Sequence, residues 1–395
     1  MRIASPAWIK TADRPGATVF AFMYAVESMA RATLATVIPL QAYALFHEAR
    51  AVSIAFLAVG CTGLVASFLI PWLIRQIRRR WVYTLGAGLL ILTSLLLVTE
   101  SAFGQVGGML VRVFGGACLN ITLSLYVMDY IHRRDLVVSE PRKFLFGAAA
   151  WLIGPPLGVW LTGRYGLWSA CAFSAFFAVL TLANFWRLRL SDNPAVAPAT
   201  RPPPSPLASI GRFAAQPRLR LAWAIAFARS SWWGVYMVYA PLLMVRGGVD
   251  PFWAALLVAA GNGLLLLARF WGKLAARLGL RPVIFGAFVV LGLATFIAGI
   301  SAAQPYLAAV ILLLAALCAV GLDGVGSIPF YRSVHAYERP QMTTVYRTNL
   351  DGADLISSAV FALLLTFFDL PAVFLASGVA SLGASALARY LPRGM

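Results

Sequence analysis

Charge is scarce in this chain: of 395 residues only 12% are Asp, Glu, Lys or Arg, against about 25% in an average soluble domain. Acid is scarcer still, with 14 Asp and Glu against 32 Lys and Arg. Histidine occurs three times, as His47, His132 and His335, each near the end of an apolar run. No HExxH spacing or nucleophile–base pair can be built from them, which argues against an enzyme. The four cysteines, Cys61, Cys118, Cys171 and Cys318, lie inside apolar runs and offer neither a disulfide framework nor a metal site. The start, MRIASPAWIKTADRPGA, is basic but has no short apolar region with a cleavage site. It reads as a cytoplasmic tail rather than a signal peptide.

What fills the chain instead is hydrocarbon. Apolar residues make up 61% and mean hydropathy is +0.81, which places the protein among polytopic membrane proteins. Runs such as LLILTSLLLV and AAVILLLAALCAV are continuous, whereas strands of a membrane barrel alternate apolar and polar residues. The spans are therefore helical. At ~20 apolar residues per crossing the sequence reads as twelve spans: 17–45, 51–74, 82–99, 102–131, 143–163, 165–187, 219–246, 252–276, 283–300, 304–330, 341–367 and 371–390. The net charge of +18 sits in short loops and not in a nucleic-acid-binding stripe. Basic loops on one side carry Arg78, Arg79 and Arg80, Arg133 and Arg134, and Arg277 and Arg281; the other side has Arg50, Arg164, Arg246 and little else. That asymmetry predicts both termini in the cytoplasm.

The longest loop, 188–218, contains NPAVAPATRPPPSPLAS, a proline-rich tether that cannot continue a helix. It divides the chain into a bundle over 1–187 and a second over 219–395. The halves resemble each other. Aligning TLATVIPLQAY with VYMVYAPLLMV places Pro39 on Pro241 and Glu27 on Arg229, and a near-identical register places Pro71 on Gly272 and Arg80 on Arg281. This is the pattern of parallel structural repeats.

Four local motifs carry a resemblance to the major facilitator superfamily. GKLAARLGLRPV (272–283) is similar to the family's loop signature through Gly272, Arg277, Gly279 and Arg281, with Ala276 where the acid belongs. PWLIRQIRRR (71–80) keeps the basic residues of the equivalent loop and lacks its glycines and aspartate. LVRVFGGACLN (110–120) resembles the embedded arginine of span 4 through Arg112 and Gly116. IGPPLGVWL (153–161) resembles the Gly-Pro-x-x-Gly motif of the antiporter branch through Gly154, Pro155 and Gly158. The resemblance implies an all-α membrane protein of two pseudo-symmetric six-helix bundles, with spans 1, 4, 7 and 10 lining a cavity and 3, 6, 9 and 12 facing lipid. The sequence agrees: spans 3, 6, 9 and 12 hold no charge in their apolar interiors. Intramembrane charges occur at Glu27, Arg31, Arg112, Arg229, Arg269, Asp323, Asp351 and Asp354. A charge at the bilayer centre costs at least ~2.5–3.5 kcal/mol, so each must face protein or water.

Glu27 lies roughly 15 Å into span 1 at 1.5 Å per residue, with Arg31 one turn on, in the favourable order for an ion pair. The pair is either a static offset to insertion or a proton carrier and its switchable partner. Desolvation favours the neutral acid, while Arg31 or Arg229 favours the carboxylate. The repeat register makes Glu27 and Arg229 equivalent, and a double-mutant cycle between them tests whether they meet. Asp354 is the second candidate proton carrier. Arg31, Arg112 and Arg229 are candidate cargo contacts, with Trp232, Trp233 and Tyr236 from the aromatic run after Arg229 and with Tyr24 and Tyr126. Asp129 and Arg277 belong to loop gating. Gly154, Pro155 and Pro156 are expected to break the hydrogen-bond ladder of span 5, and with Gly158 to shape a kink that seals the cavity.

The leading expectation is a proton-coupled exporter of a small organic solute, monomeric and without cofactor or metal, in the plasma (inner) membrane of a bacterium. Its partners are the cargo, protons and the lipid bilayer, with no nucleic acid. Uptake by symport or uniport of an organic anion is the alternative. A sensor with a transporter-like body is the third class, disfavoured because the tails are short.

Overall fold

The computed structural model describes residues 17–130, 136–188, 206–334 and 339–391, and all regular structure among them is helical. Among the described residues nine helices are long and apolar enough to cross a membrane, or ten if Pro251–Leu267 and Phe270–Leu278, bent by 51° at their junction, form one crossing. The protein is thus an integral, multi-pass membrane protein. Two expected spans fall outside that count because their helices are interrupted. Span 1 is Ala17–Thr33 followed, after a turn at 34–36, by Val37–Phe46. Span 7 is Pro217–Gly234, a π-helical turn Val235–Tyr239, then Ala240–Arg246.

Contacts divide the chain into two compact units: Met1–Ile38 with Thr62–Val196, and Pro39–Cys61 with Ala197–Met395. In the first unit the helix of span 1 packs along spans 5 and 6. Ser174 Oγ donates to the Ala30 carbonyl at 2.7 Å, and Gln105 Nε2 to that of Ile38 at 2.9 Å. These bonds tie the two pieces of span 1 to spans 6 and 4, while the turn itself closes through Ala35 N–H to the Ala32 carbonyl and Ile38 N–H to the Leu34 carbonyl, each at 3.0 Å. In the second unit, spans 9, 10 and 12 pack together. Backbones approach at Gly292 and Gly378, where a Cβ on either would lie 2.9 Å from the other's carbonyl oxygen, the small-residue packing that lets membrane helices close up. Residues 39–61 are held to this unit by Ser53 Oγ and Tyr239 Oη, 2.7 Å apart. Outward faces are hydrocarbon: Leu92 and Leu95, Phe176 and Val179, Leu293 and Ile297, and Val379 are exposed on spans 3, 6, 9 and 12. That agrees with the absence of charge there.

The helix Leu136–Tyr165 runs through Gly154, Pro155 and Pro156 as a single element, so the expected break in span 5 is corrected. A proline lacks one donor and crowds the preceding turn, but within a membrane protein the freed carbonyls find other partners. The glycines serve close approach instead, described below.

Strain sits where the two basic loops correspond. Arg78, in the first turn of Gln76–Val98, has φ 63° and ψ 149°. The register that pairs Pro71 with Gly272 and Arg80 with Arg281 pairs Arg78 with Gly279, which has φ 91° and ψ 158°. The same backbone turn thus recurs in both units, with glycine in one and an exposed arginine in the other. That region is costly for any residue with a Cβ, by ~1–3 kcal/mol, while glycine adds ~0.5–1 kcal/mol of unfolded-state entropy. Arg78→Gly should therefore raise stability by up to about 2 kcal/mol, read as a higher thermal unfolding midpoint in detergent; a lower midpoint would show that the arginine's contacts outweigh the strain.

Candidate functional site

Five of the eight intramembrane charges gather in two places, one in each unit. In the first unit Glu27 is completely buried, and Arg31 Nη2 lies 3.1 Å from its Oε1. The four-residue spacing puts both on one face of the helix, as the sequence predicts. Arg31 runs past Gly116 of span 4, whose Cβ, if present, would touch its side chain at 3.4 Å. From the same span Arg112 Nη2 donates to the Arg31 carbonyl at 2.8 Å. Tyr83 and Tyr126 close the cluster: both are buried, and Tyr83 lies within electrostatic reach of Glu27, Arg31 and Tyr126. Their rings pack on Phe185, Tyr83 stacked at 4.3 Å and Tyr126 tilted at 5.6 Å. Tyr24, half-buried on span 1, faces span 5, where its ring fills the space above Gly147.

The antiporter-type motif bears directly on this helix. A Cβ on Gly154 would lie 2.8 Å from the Ala32 carbonyl carbon, and one on Gly158 would strike the Thr33 carbonyl oxygen. Span 5 therefore sits backbone against backbone on the residues just after Arg31, at the point where the span 1 helix ends. The opposite face of that helix, with Phe22, Val26 and Met29, borders an open apolar groove of about 430 Å³ lined also by Phe146, Ile153 and Phe177. It offers hydrocarbon only, so polar chemistry in this unit is confined to the Glu27 side.

In the second unit Arg229 Nε lies 3.1 Å from Asp323 Oδ1, with side chains 12% and 27% exposed. Trp233 Nε1 donates to Asp323 Oδ2 at 2.9 Å, so both carboxylate oxygens are engaged. Arg229 Nη2 also reaches Ser230 Oγ at 3.3 Å, and Ser230 donates to Asn349 Oδ1 at 3.1 Å. The aromatic run splits by face. Trp232 and Tyr236, one turn apart, are buried and stacked at 5.2 Å. Trp232 Nε1 donates to Thr295 Oγ1 at 2.8 Å and Tyr236 Oη to the Leu257 carbonyl at 2.6 Å. These two anchor the helix in the unit's core, and Trp233 is the one that reaches the charged pair.

Thus the structure joins Glu27, Arg31 and Arg112, and separately joins Arg229 and Trp233. Each of the two repeat-related charges has its partner inside its own unit: Arg31 for Glu27, Asp323 for Arg229. Asp354 is exposed on span 11 and within electrostatic reach of Asp351. Arg277 is exposed in the last turn of Ala268–Leu278. The side chain of Asp129 lies outside the described residues. Two participants escaped sequence reasoning as site residues. Asp323 was visible as an intramembrane acid, and Arg229, deep in span 7, was a partner in waiting. Tyr83 belongs to a span that the family resemblance turns toward lipid, so nothing singled it out.

A profile of the Major Facilitator Superfamily matches residues 20–331. No curated protein matches the chain. Among solved structures, the chain is similar to a POT family transporter in complex with a thioalcohol conjugated peptide, with TM-score 0.78, 12% identity and 94% of each chain covered. It is similar to a bacterial homologue of the iron transporter ferroportin in an inward-facing state, with TM-score 0.72, 14% identity, and 94% of this chain and 97% of that one covered. A structure of the nucleoside transporter NupG gives TM-score 0.72 at 11% identity, over 94% of this chain and 98% of that one. At such identities the likeness is one of fold.

Proposed function

The chain belongs to the Major Facilitator Superfamily, and from that premise we propose that it is a secondary transporter that moves a small organic solute by proton-coupled alternating access, in the direction of export. Twelve spans in two six-helix bundles, 1–187 and 219–395, joined by a linker over 188–218, with both termini cytoplasmic, complete the reading. The membrane is the plasma (inner) membrane of a bacterium and the working unit a monomer. The observation that carries it is the completely buried Glu27 held 3.1 Å from Arg31. A carboxylate so placed is tolerated only while its partner stays, and it takes a proton when the partner leaves. The span 5 motif supports the same reading, since Gly154 and Gly158 press on the residues that follow Arg31. Glu27 is the proton carrier, with Asp354 the reserve; Arg31 is the switch. Arg112, Arg229, Trp233, Tyr24 and Tyr126 are the cargo-facing groups, with Trp232 and Tyr236 supporting them from the core. Gly154, Pro155 and Gly158, with Asp129 and Arg277 at the loops, control gating.

One observation favours a second reading, proton-linked uptake of an organic anion. Arg31 and Arg112 face a single described carboxylate, so an anion and a proton on Glu27 would each favour the other's binding. The two readings separate in proteoliposomes with an internal pH dye, an imposed pH gradient and a panel of organic anions and aromatic cations. Export by antiport predicts that cargo moves against the proton, symport that both move together. Under either, Glu27→Gln should reduce cargo-dependent proton flux by at least about 100-fold, the share of a required proton-transfer group. Undiminished flux in that variant would move the proton site away from span 1.

A further inference from the structure

Resting on the transport reading, we propose that the cargo is an organic anion, and that its anionic group is bound by Arg112 in the buried cluster of Arg31, Arg112, Glu27 and Tyr83. The charge balance demands it. Among the described residues Arg112 has no carboxylate partner; its one hydrogen bond is to the Arg31 carbonyl. Glu27 is already engaged by Arg31, so the cluster holds two guanidinium groups against one carboxylate. In the second unit the corresponding count is balanced, one arginine to one aspartate. A guanidinium inside a membrane protein is retained against its desolvation cost where something neutralises it.

Unused donors point the same way. Arg31 Nε, Arg112 Nε and Tyr83 Oη are sealed from solvent and have no hydrogen-bond partner, and Tyr83 as a whole is completely buried. A carboxylate is acceptor-only, with two oxygens and about four lone-pair sites, and arginine recognises it in a planar fork. Three idle donors around an excess positive charge match that group. The rings of Tyr83, Tyr126 and Phe185, packed at 4.3 Å and 5.6 Å, make the surroundings aromatic. This favours an organic anion over a small inorganic one, whose strong hydration such walls do not replace.

Arg112 also separates this role from a structural one. A guanidinium kept for packing and for its bond to the Arg31 carbonyl stabilises the ligand-free protein. One kept for a ligand strains it, and its removal is then stabilising, the usual trade-off at binding sites. The test is thermal unfolding of the full chain in lipid nanodiscs, wild type and Arg112→Met, alone and with benzoate, benzamide, benzylammonium or sulfate. Benzoate should raise the wild-type midpoint while its neutral isostere benzamide and the cation benzylammonium do not. Arg112→Met should raise the ligand-free midpoint by about 2–4 °C and erase the benzoate shift. A lowered ligand-free midpoint in Arg112→Met, no benzoate shift in wild type, or equal shifts from benzamide or benzylammonium would overturn the proposal. A sulfate shift as large as that of benzoate would overturn its organic part. Benzoate binding without flux in proteoliposomes would leave the anion site at Arg112 standing and sink the transport reading; cation flux without any benzoate shift would do the reverse.

Discussion

Gly158→Val should abolish transport and lower the unfolding midpoint by several degrees, while Gly163→Ala, five residues along the same helix, should leave both intact. A Cβ at 158 would collide with the Thr33 carbonyl oxygen and lie 2.8 Å from its carbon. Neither atom can rotate away, because both belong to backbone. Thr33 is further fixed by its hydroxyl, which donates to the Met29 carbonyl at 2.8 Å. Overpacking of this kind costs ~1–3 kcal/mol where side chains can adjust, and the upper end applies where backbone must move. The span 1 helix ends at Thr33, two residues beyond Arg31, so any displacement is passed to the pair that carries the proposed chemistry. At Gly163 a Cβ meets nothing within 4 Å, and alanine gains helix propensity of ~1 kcal/mol. Equal loss at both positions would mean that span 5 needs flexible glycine and not close approach. Transport retained in Gly158→Val would remove the motif from the mechanism.

The second large effect belongs to the Arg229–Asp323 pair. Asp323→Ala leaves Arg229 with Ser230 Oγ as its remaining side-chain partner and leaves the Trp233 indole N–H without its acceptor. Breaking a buried ion pair by removing one partner costs ~3–5 kcal/mol. With the carboxylate side chain 27% exposed, solvent screens part of this and the lower end is expected. Removing both charges, as Arg229→Met with Asp323→Leu, should recover most of the loss, since the penalty is that of an orphaned charge and not of a missing bond. A double-mutant cycle on unfolding midpoints measures the coupling directly. Additive single effects would show that the two groups act independently.

Much of this architecture is legible in the chain. Length and continuity of apolar runs place the spans, because hydrocarbon thickness fixes how many residues a crossing needs. Spans 3, 6, 9 and 12 hold no charge in their interiors, a property spans 2 and 5 share, and their outward side chains, such as Leu95, Phe176 and Leu293, are apolar. The Glu27–Arg31 pair follows from helical spacing alone. What the sequence conceals is set by packing between segments. Nothing in Leu-Ala-Thr at 34–36 announces a turn, and the flanking carbonyls of Ala30 and Ile38 are bonded from distant positions, Ser174 and Gln105. The π-helical turn at 235–239 is likewise invisible in VYMVY; its aromatic residues fit an α-helix as well. Trp232, Trp233 and Tyr236 look alike in sequence, yet their burial and partners divide them, because rotation about the helix axis decides which one meets Asp323. Arg78 shows the converse case: its strained backbone is legible only when Gly279 is laid beside it.

The central claim is that Glu27 gains and loses a proton while Arg31 is its exchangeable partner. Infrared difference spectroscopy of the protein in nanodiscs, between alkaline and acidic buffer, tests it most directly. The account predicts that a protonated-carboxyl stretch grows in at acid pH in wild type and is missing in Glu27→Gln, while Asp354→Asn retains it. A spectrum unchanged by Glu27→Gln would contradict the account and leave Glu27 a permanent, structural counter-ion of Arg31.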